Sequence, residues 1–140
     1  MHVYISGPYT KPDPVQNTRR AIIVADRVRD AGAAPFLPHL FMAWHLVSPA
    51  AYEEWMDLCL AWVPKCDAML RMFGESEGAD REVELARSLG IPVFESLDAL
   101  LKWMRGRQVI EVKKTLNLVY QGVPCPRCGC TMTIEIEGEL

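Results

Sequence analysis

The chain has 140 residues, half of them hydrophobic and 24% charged, with a net charge of -3. That composition suits one globular domain with room for a core, and it argues against a fibrous or low-complexity protein. No apolar run nears the ~20 residues that a membrane-spanning helix needs, and the mild acidity gives no general attraction to nucleic acid or anionic lipid.

Val3 to Ser6 is a short β-prone run that Gly7-Pro8 stops, and its start, Met1-His2-Val3, is too short and polar for a signal peptide. The expected location is therefore the cytoplasm. Asp13-Pro14 predicts a helix start, with Asp as N-cap and Pro in the first turn. The helix should run to about Ala31, carry Ile22, Ala25, Val28 and Arg29, and close at Gly32. Ala34 to Leu37 is a second strand. Pro38 to Pro49 reads as a loop with a helical turn.

Ala50 to Val63 predicts a helix whose apolar face is Ala51, Trp55, Leu58 and Trp62, ended by Pro64. A third strand, Asp67 to Phe73, leads through Gly74-Glu75-Ser76-Glu77 into a helix that Gly90 closes. Ile91 to Phe94 is a fourth strand, and Leu97 to Arg105 a short helix. Strands alternating with helices predict a parallel sheet covered on both faces, with its ligand crevice beyond the C-terminal strand ends. The loops after the first and third strands should meet there.

In the helix after the third strand, Ala79, Val83, Ala86 and Leu89 form an apolar stripe, and Glu82 lies on it. A carboxylate aimed inward needs partners or a task; the alternative is a frayed first turn that lets it reach water. Glu84, on the other face, pairs with Arg87 in solvent. The loop Ser6-Gly7-Pro8-Tyr9-Thr10 offers hydroxyls and N–H groups at a strand end. Ser76 and Gly78 flank a helix N-terminus that could hold a phosphate or could simply be capped. Neither a Gly-x-Gly-x-x-Gly nor a Gly-Lys-Ser/Thr phosphate loop occurs.

Tyr4-Ile5-Ser6-Gly7-Pro8-Tyr9, followed by Ser76-x-Gly78-x-x-x-Glu82, resembles the nucleoside 2-deoxyribosyltransferase superfamily, which includes the 2-deoxynucleoside 5-phosphate N-hydrolases. The resemblance spans roughly residues 3–95. It implies Glu82 as nucleophile, Tyr4 as its hydrogen-bonding partner, Asp57 as the carboxylate that assists the departing base, and Ser76 as a phosphate contact. Ser6, Gly7, Pro8, Tyr9, Gly78 and His39 are the further candidate substrate-binding residues. The first loop lacks the serine and paired glycines of the hydrolases, and the Asp57-to-Asp67 spacing is longer than theirs. By periodicity alone, Asp57 falls on a polar face with Glu53 and Glu54, and His39 reads as an ordinary structural histidine.

The expected fold is thus α/β: a flavodoxin-like or Rossmann-like parallel sheet of four to five strands flanked by helices over 1–107, with a cysteine-containing extension over 108–140. The implied activity is that of an N-glycosidase on (deoxy)nucleoside monophosphates, with base transfer or a non-catalytic nucleotide-binding module as alternatives. No catalytic cofactor is expected, and the expected assembly is a homo-oligomer. Cys125, Cys128 and Cys130 resemble one knuckle of a zinc ribbon; structural zinc and free thiols are both open. Lys113, Lys114 and Arg127 are too few for a basic track, so nucleic acid is not an expected partner.

Overall fold

The computed structural model describes residues 1–107. The cysteines at 125, 128 and 130 lie outside the described residues, as does the rest of the proposed extension. The chain divides between Lys102 and Trp103. In the second unit, the Arg107 guanidinium lies 5.0 Å from the centroid of the Trp103 ring.

The first unit is a four-stranded parallel sheet in the order β2-β1-β3-β4, formed by β1 (His2–Ser6), β2 (Ala34–Phe36), β3 (Ala68–Arg71) and β4 (Val93–Phe94). This is the flavodoxin-like arrangement that the alternation predicts. Its helices are α1 (Pro14–Asp30), α2 (Phe41–Val47), α3 (Tyr52–Trp62) and α4 (Glu77–Ser88), with a further helix starting at residue 97. The chain leaves β1 toward one edge and enters β3 on the other side. The crevice of such a sheet opens where strand order reverses, here at the C-terminal ends of β1 and β3, with Ser6 in register with Arg71.

Local chemistry sets the helix starts. Asp13 caps α1 by accepting from the Gln16 N–H, and Pro14 occupies the first turn. Ser76 caps α4 through the Ala79 N–H, and Gly32 and Gly90 take positive φ just beyond α1 and α4. The core beneath α4 brings Tyr4, Met69, Val83, Ala86, Val63 and Cys66 together.

Three expectations are corrected. Within Pro38 to Pro49, read as a loop with a helical turn, residues 41–47 form the longer helix α2, although none of its residues is buried. The aromatic contacts of Phe41 and Trp44 with Trp55 tie this helix to α3. Helix α3 is rotated from the predicted face: Met56, Cys59 and Val63 are buried, while Trp62 is 44% exposed and stacks on Phe36 at 4.8 Å. Two adjacent apolar stripes run along this helix, and periodicity does not say which of them meets the core. In α1, Ile22 is exposed and the polar Asn17 and Thr18 are buried with Ala21, Ala25 and Val28.

Candidate active site

Helix α4 passes over the C-terminal ends of β1 and β3, which directs Glu82 at the side chains of β1. Glu82 is 5% exposed, so the frayed-turn alternative is removed. The Tyr4 hydroxyl donates to Glu82 Oε1 at 2.8 Å, and the Ser6 hydroxyl donates to Oε2 at 2.6 Å. Tyr4 and Ser6 alternate with Ile5 along β1, so both point to the same face of the sheet. A charge-assisted bond to each oxygen fixes the orientation of the carboxylate.

Burial pushes the Glu82 carboxyl above the usual range. The hydrogen bonds from Ser6 and Tyr4 and the charge of Arg71 pull the other way without cancelling it. Burial, reinforced by the charge of Glu82, also raises the Tyr4 phenol, which stays protonated as a donor. Arg71 at the end of β3 donates to the carbonyls of Met72 and Gly74 and pairs with Asp80 at 2.9 Å, which shapes the loop leading to α4.

Glu82 forms part of the lining of a cavity of about 640 Å³, within the range of roughly 300–1,000 Å³ usual for small-molecule sites. Gly7, Tyr9, His39, Ser76 and Gly78 line it too, so five further predicted residues meet at one site. Tyr4 and Ser6 are fully buried and reach the site through Glu82. Pro8 is buried in the first loop, and its carbonyl accepts from His39 Nε2 at 3.0 Å. Two glycines permit close approach. A Cβ on Gly7 would lie 2.9 Å from Met72 Cβ, and one on Gly78 would lie 2.9 Å from the Tyr52 hydroxyl.

Asp57 is not brought to this cavity. It is solvent-exposed, and Cys59, two positions later on α3, lines the cavity instead. Two residues turn a helix by about 200°, which places the two side chains on nearly opposite faces. Its polar-face periodicity describes Asp57 correctly. The Cys59 thiol is pushed up to about 12 by burial and by the nearby Glu82, and so is protonated at neutral pH.

Sequence reasoning missed the aromatic wall. Phe41 and His45 of α2 and Tyr52 and Trp55 of α3 line the cavity, with Trp55 Nε1 donating to His45 Nδ1 at 2.9 Å. The signal was the density of aromatic residues between 36 and 62. It also missed Lys11, the one lysine or arginine in the lining among the described residues, and the carboxylates Glu75 and Glu77. Among the described residues, no group of three or more His, Cys, Asp or Glu side chains could hold a metal ion, and no helix is long and apolar enough to cross a membrane.

Fold and site define an α/β protein with a ligand cavity at the switch point of a parallel sheet and a buried, doubly hydrogen-bonded carboxylate at that cavity. The chain belongs to the family described as "Domain of unknown function (DUF4406)", whose profile matches residues 1–95. Among solved structures, it is similar to a 2-deoxyribosyltransferase from Bacillus psychrosaccharolyticus, with 20% identity and a TM-score of 0.46. That match covers 66% of this chain and 69% of the other. No curated protein matches the chain.

Proposed function

We propose that this protein cleaves the bond between base and sugar in (deoxy)nucleoside monophosphates, with Glu82 as the nucleophile. The observation that carries the reading is the Glu82 carboxylate, held by Tyr4 and Ser6 at an aromatic-walled cavity. Fixing both oxygens lowers the reorganisation that attack on an anomeric carbon would require. A lone pair of Glu82 forms a bond to that carbon as its bond to the base nitrogen breaks. The base leaves with the bonding electrons and takes a proton from water at the cavity mouth. The hydroxide left by that proton transfer then attacks the same carbon, which releases the sugar phosphate and returns the carboxylate, as in the second half of a retaining glycosidase reaction.

The aromatic side chains of α2 and α3 suit the flat face of a base. Thr10, Lys11, Ser76 and Gly78 line the same cavity, and together they suit a phosphate. Lys11 supplies a positive charge there, and the start of α4 supplies N–H groups and the positive end of its dipole. Asp57 has no part in this mechanism, because it stands outside the cavity.

The test is chromatography of a nucleoside and nucleoside monophosphate panel after incubation with the protein, with and without a second free base. Free base and sugar phosphate are expected from the wild type. Glu82→Ala should lower turnover by at least about a thousandfold, while Asp57→Asn should stay within about twofold of wild type. Equal turnover by Glu82→Ala would overturn the nucleophile. Base exchange without release to water would make the protein a transferase, and saturable binding without products would make it a binding module.

A further inference from the structure

The loop after β1 carries a feature that the proposed reaction leaves unused. Asn17, in the first turns of α1, is only 3% exposed. Both donors of its amide are committed to the loop: Nδ2 donates to the carbonyl of Tyr9 at 2.9 Å and to that of Lys11 at 2.8 Å. His39, 2% exposed, donates through Nε2 to the carbonyl of Pro8 at 3.0 Å. Two buried side chains from separate elements thus hold three carbonyls within four residues.

In a trans peptide, the carbonyl and the following N–H point in opposite directions. Turning the Tyr9 carbonyl onto Asn17, which is not part of the cavity lining, therefore turns the Thr10 N–H away from Asn17. Tyr9, Thr10 and Lys11 all border the cavity, and the Thr10 N–H has no protein acceptor among the described residues. A free N–H next in the chain to the Lys11 ammonium suits an anion. Burial also lowers the His39 imidazole, so the ring stays neutral with its proton on the nitrogen that faces Pro8.

We infer that Asn17 and His39 are positioning residues that hold residues 8–11 in the conformation that receives the phosphate of the substrate, and so set the preference for a nucleotide over a nucleoside. The inference rests on the monophosphate reading above. Asn17 acts only through the loop. Its removal should be felt at the phosphate and not at the carbon that Glu82 attacks.

The experiment compares KM and kcat for a deoxynucleoside monophosphate and for the same deoxynucleoside without phosphate. Wild type should favour the monophosphate in kcat/KM, and inorganic phosphate should compete with it. Asn17→Ala should raise KM for the monophosphate roughly tenfold, the scale set by losing a hydrogen bond's worth of positioning, with kcat within about twofold. Both constants for the nucleoside should stay within about twofold.

His39→Phe should raise KM for the monophosphate, and His39→Gln, which can still donate to Pro8, should restore most of it. This pair carries the test if Asn17→Ala does not fold. Equal losses on both substrates, or unchanged KM in the folded Asn17→Ala or His39→Phe variants, would overturn the inference. A wild type that does not prefer the monophosphate and is insensitive to inorganic phosphate would instead overturn the phosphate reading itself.

Discussion

At Glu82 two opposing influences act on one carboxyl. Burial favours the protonated form; the Ser6 and Tyr4 hydroxyls and the Arg71 charge favour the ionised one, and burial prevails. The proposed nucleophile must be ionised, so activity should fall as pH drops through a value above the ordinary glutamate range. Tyr4→Phe removes a donor that stabilises the anion. It should therefore move this acid limb to higher pH and lower kcat/KM by roughly ten- to a hundredfold, the scale of a charged hydrogen bond; pH–rate profiles of the two proteins check it. Stability follows from the same imbalance. A carboxyl whose folded pKa is raised contributes stability that is fully present below its unfolded pKa and is lost as pH rises through the folded value. Glu82→Gln should consequently raise Tm at neutral pH, with the gain shrinking as acid protonates the wild-type group. Calorimetry from neutral pH down to the carboxylate range reads this, and a constant gain would refute it. The inward direction of Glu82 was legible because a charge broke a helical stripe. The contacts of Asn17 were not legible, since a buried amide leaves no periodic trace.

At the scale of elements, the caps were the most readable features. Asp13-Pro14 and Gly32 bound α1, and Ser76 and Gly90 bound α4, because capping depends on a few adjacent residues. Faces were less readable. Trp55 and Trp62 carry the largest apolar surfaces in α3, yet Met56 and Cys59 take the buried positions, while the tryptophans pack with Phe41, Trp44 and Phe36 nearer the surface. Helix α2 owes its place to those rings rather than to an apolar face of its own. The junction of β1 and β3 is tighter. Gly7→Ala would bring a methyl against Met72 Cβ, a contact of 2.9 Å that a side-chain rotation does not relieve. The expected loss is about 1–3 kcal/mol, the scale of overpacking, measurable by urea denaturation. An undisturbed midpoint would mean that the strand ends separate freely.

Over the whole molecule, the mild net negative charge leaves the local field to decide what the cavity attracts. Glu75 and Glu77 border it together with the ammonium of Lys11. Neutralising either carboxylate should help a phosphate to bind. Glu75→Gln and Glu77→Gln are each expected to lower KM for a monophosphate by about two- to fivefold at low ionic strength, with the difference shrinking in salt as screening shortens the field. A salt-independent effect, or none, would place the phosphate elsewhere. The sequence by itself determined the alternation of strands and helices, the caps, and the meeting of the first and third loops at one crevice, because these follow from short-range chemistry and from the rules of parallel sheets. Only the tertiary structure decided that Ser6 shares Glu82 with Tyr4, that α3 turns Cys59 rather than Asp57 toward the cavity, and that Asn17 and His39 hold the loop between them. Those relations join residues separated by as many as 78 positions in the chain. Their geometry depends on how each helix is rotated against the sheet, which is set by packing that no local pattern records.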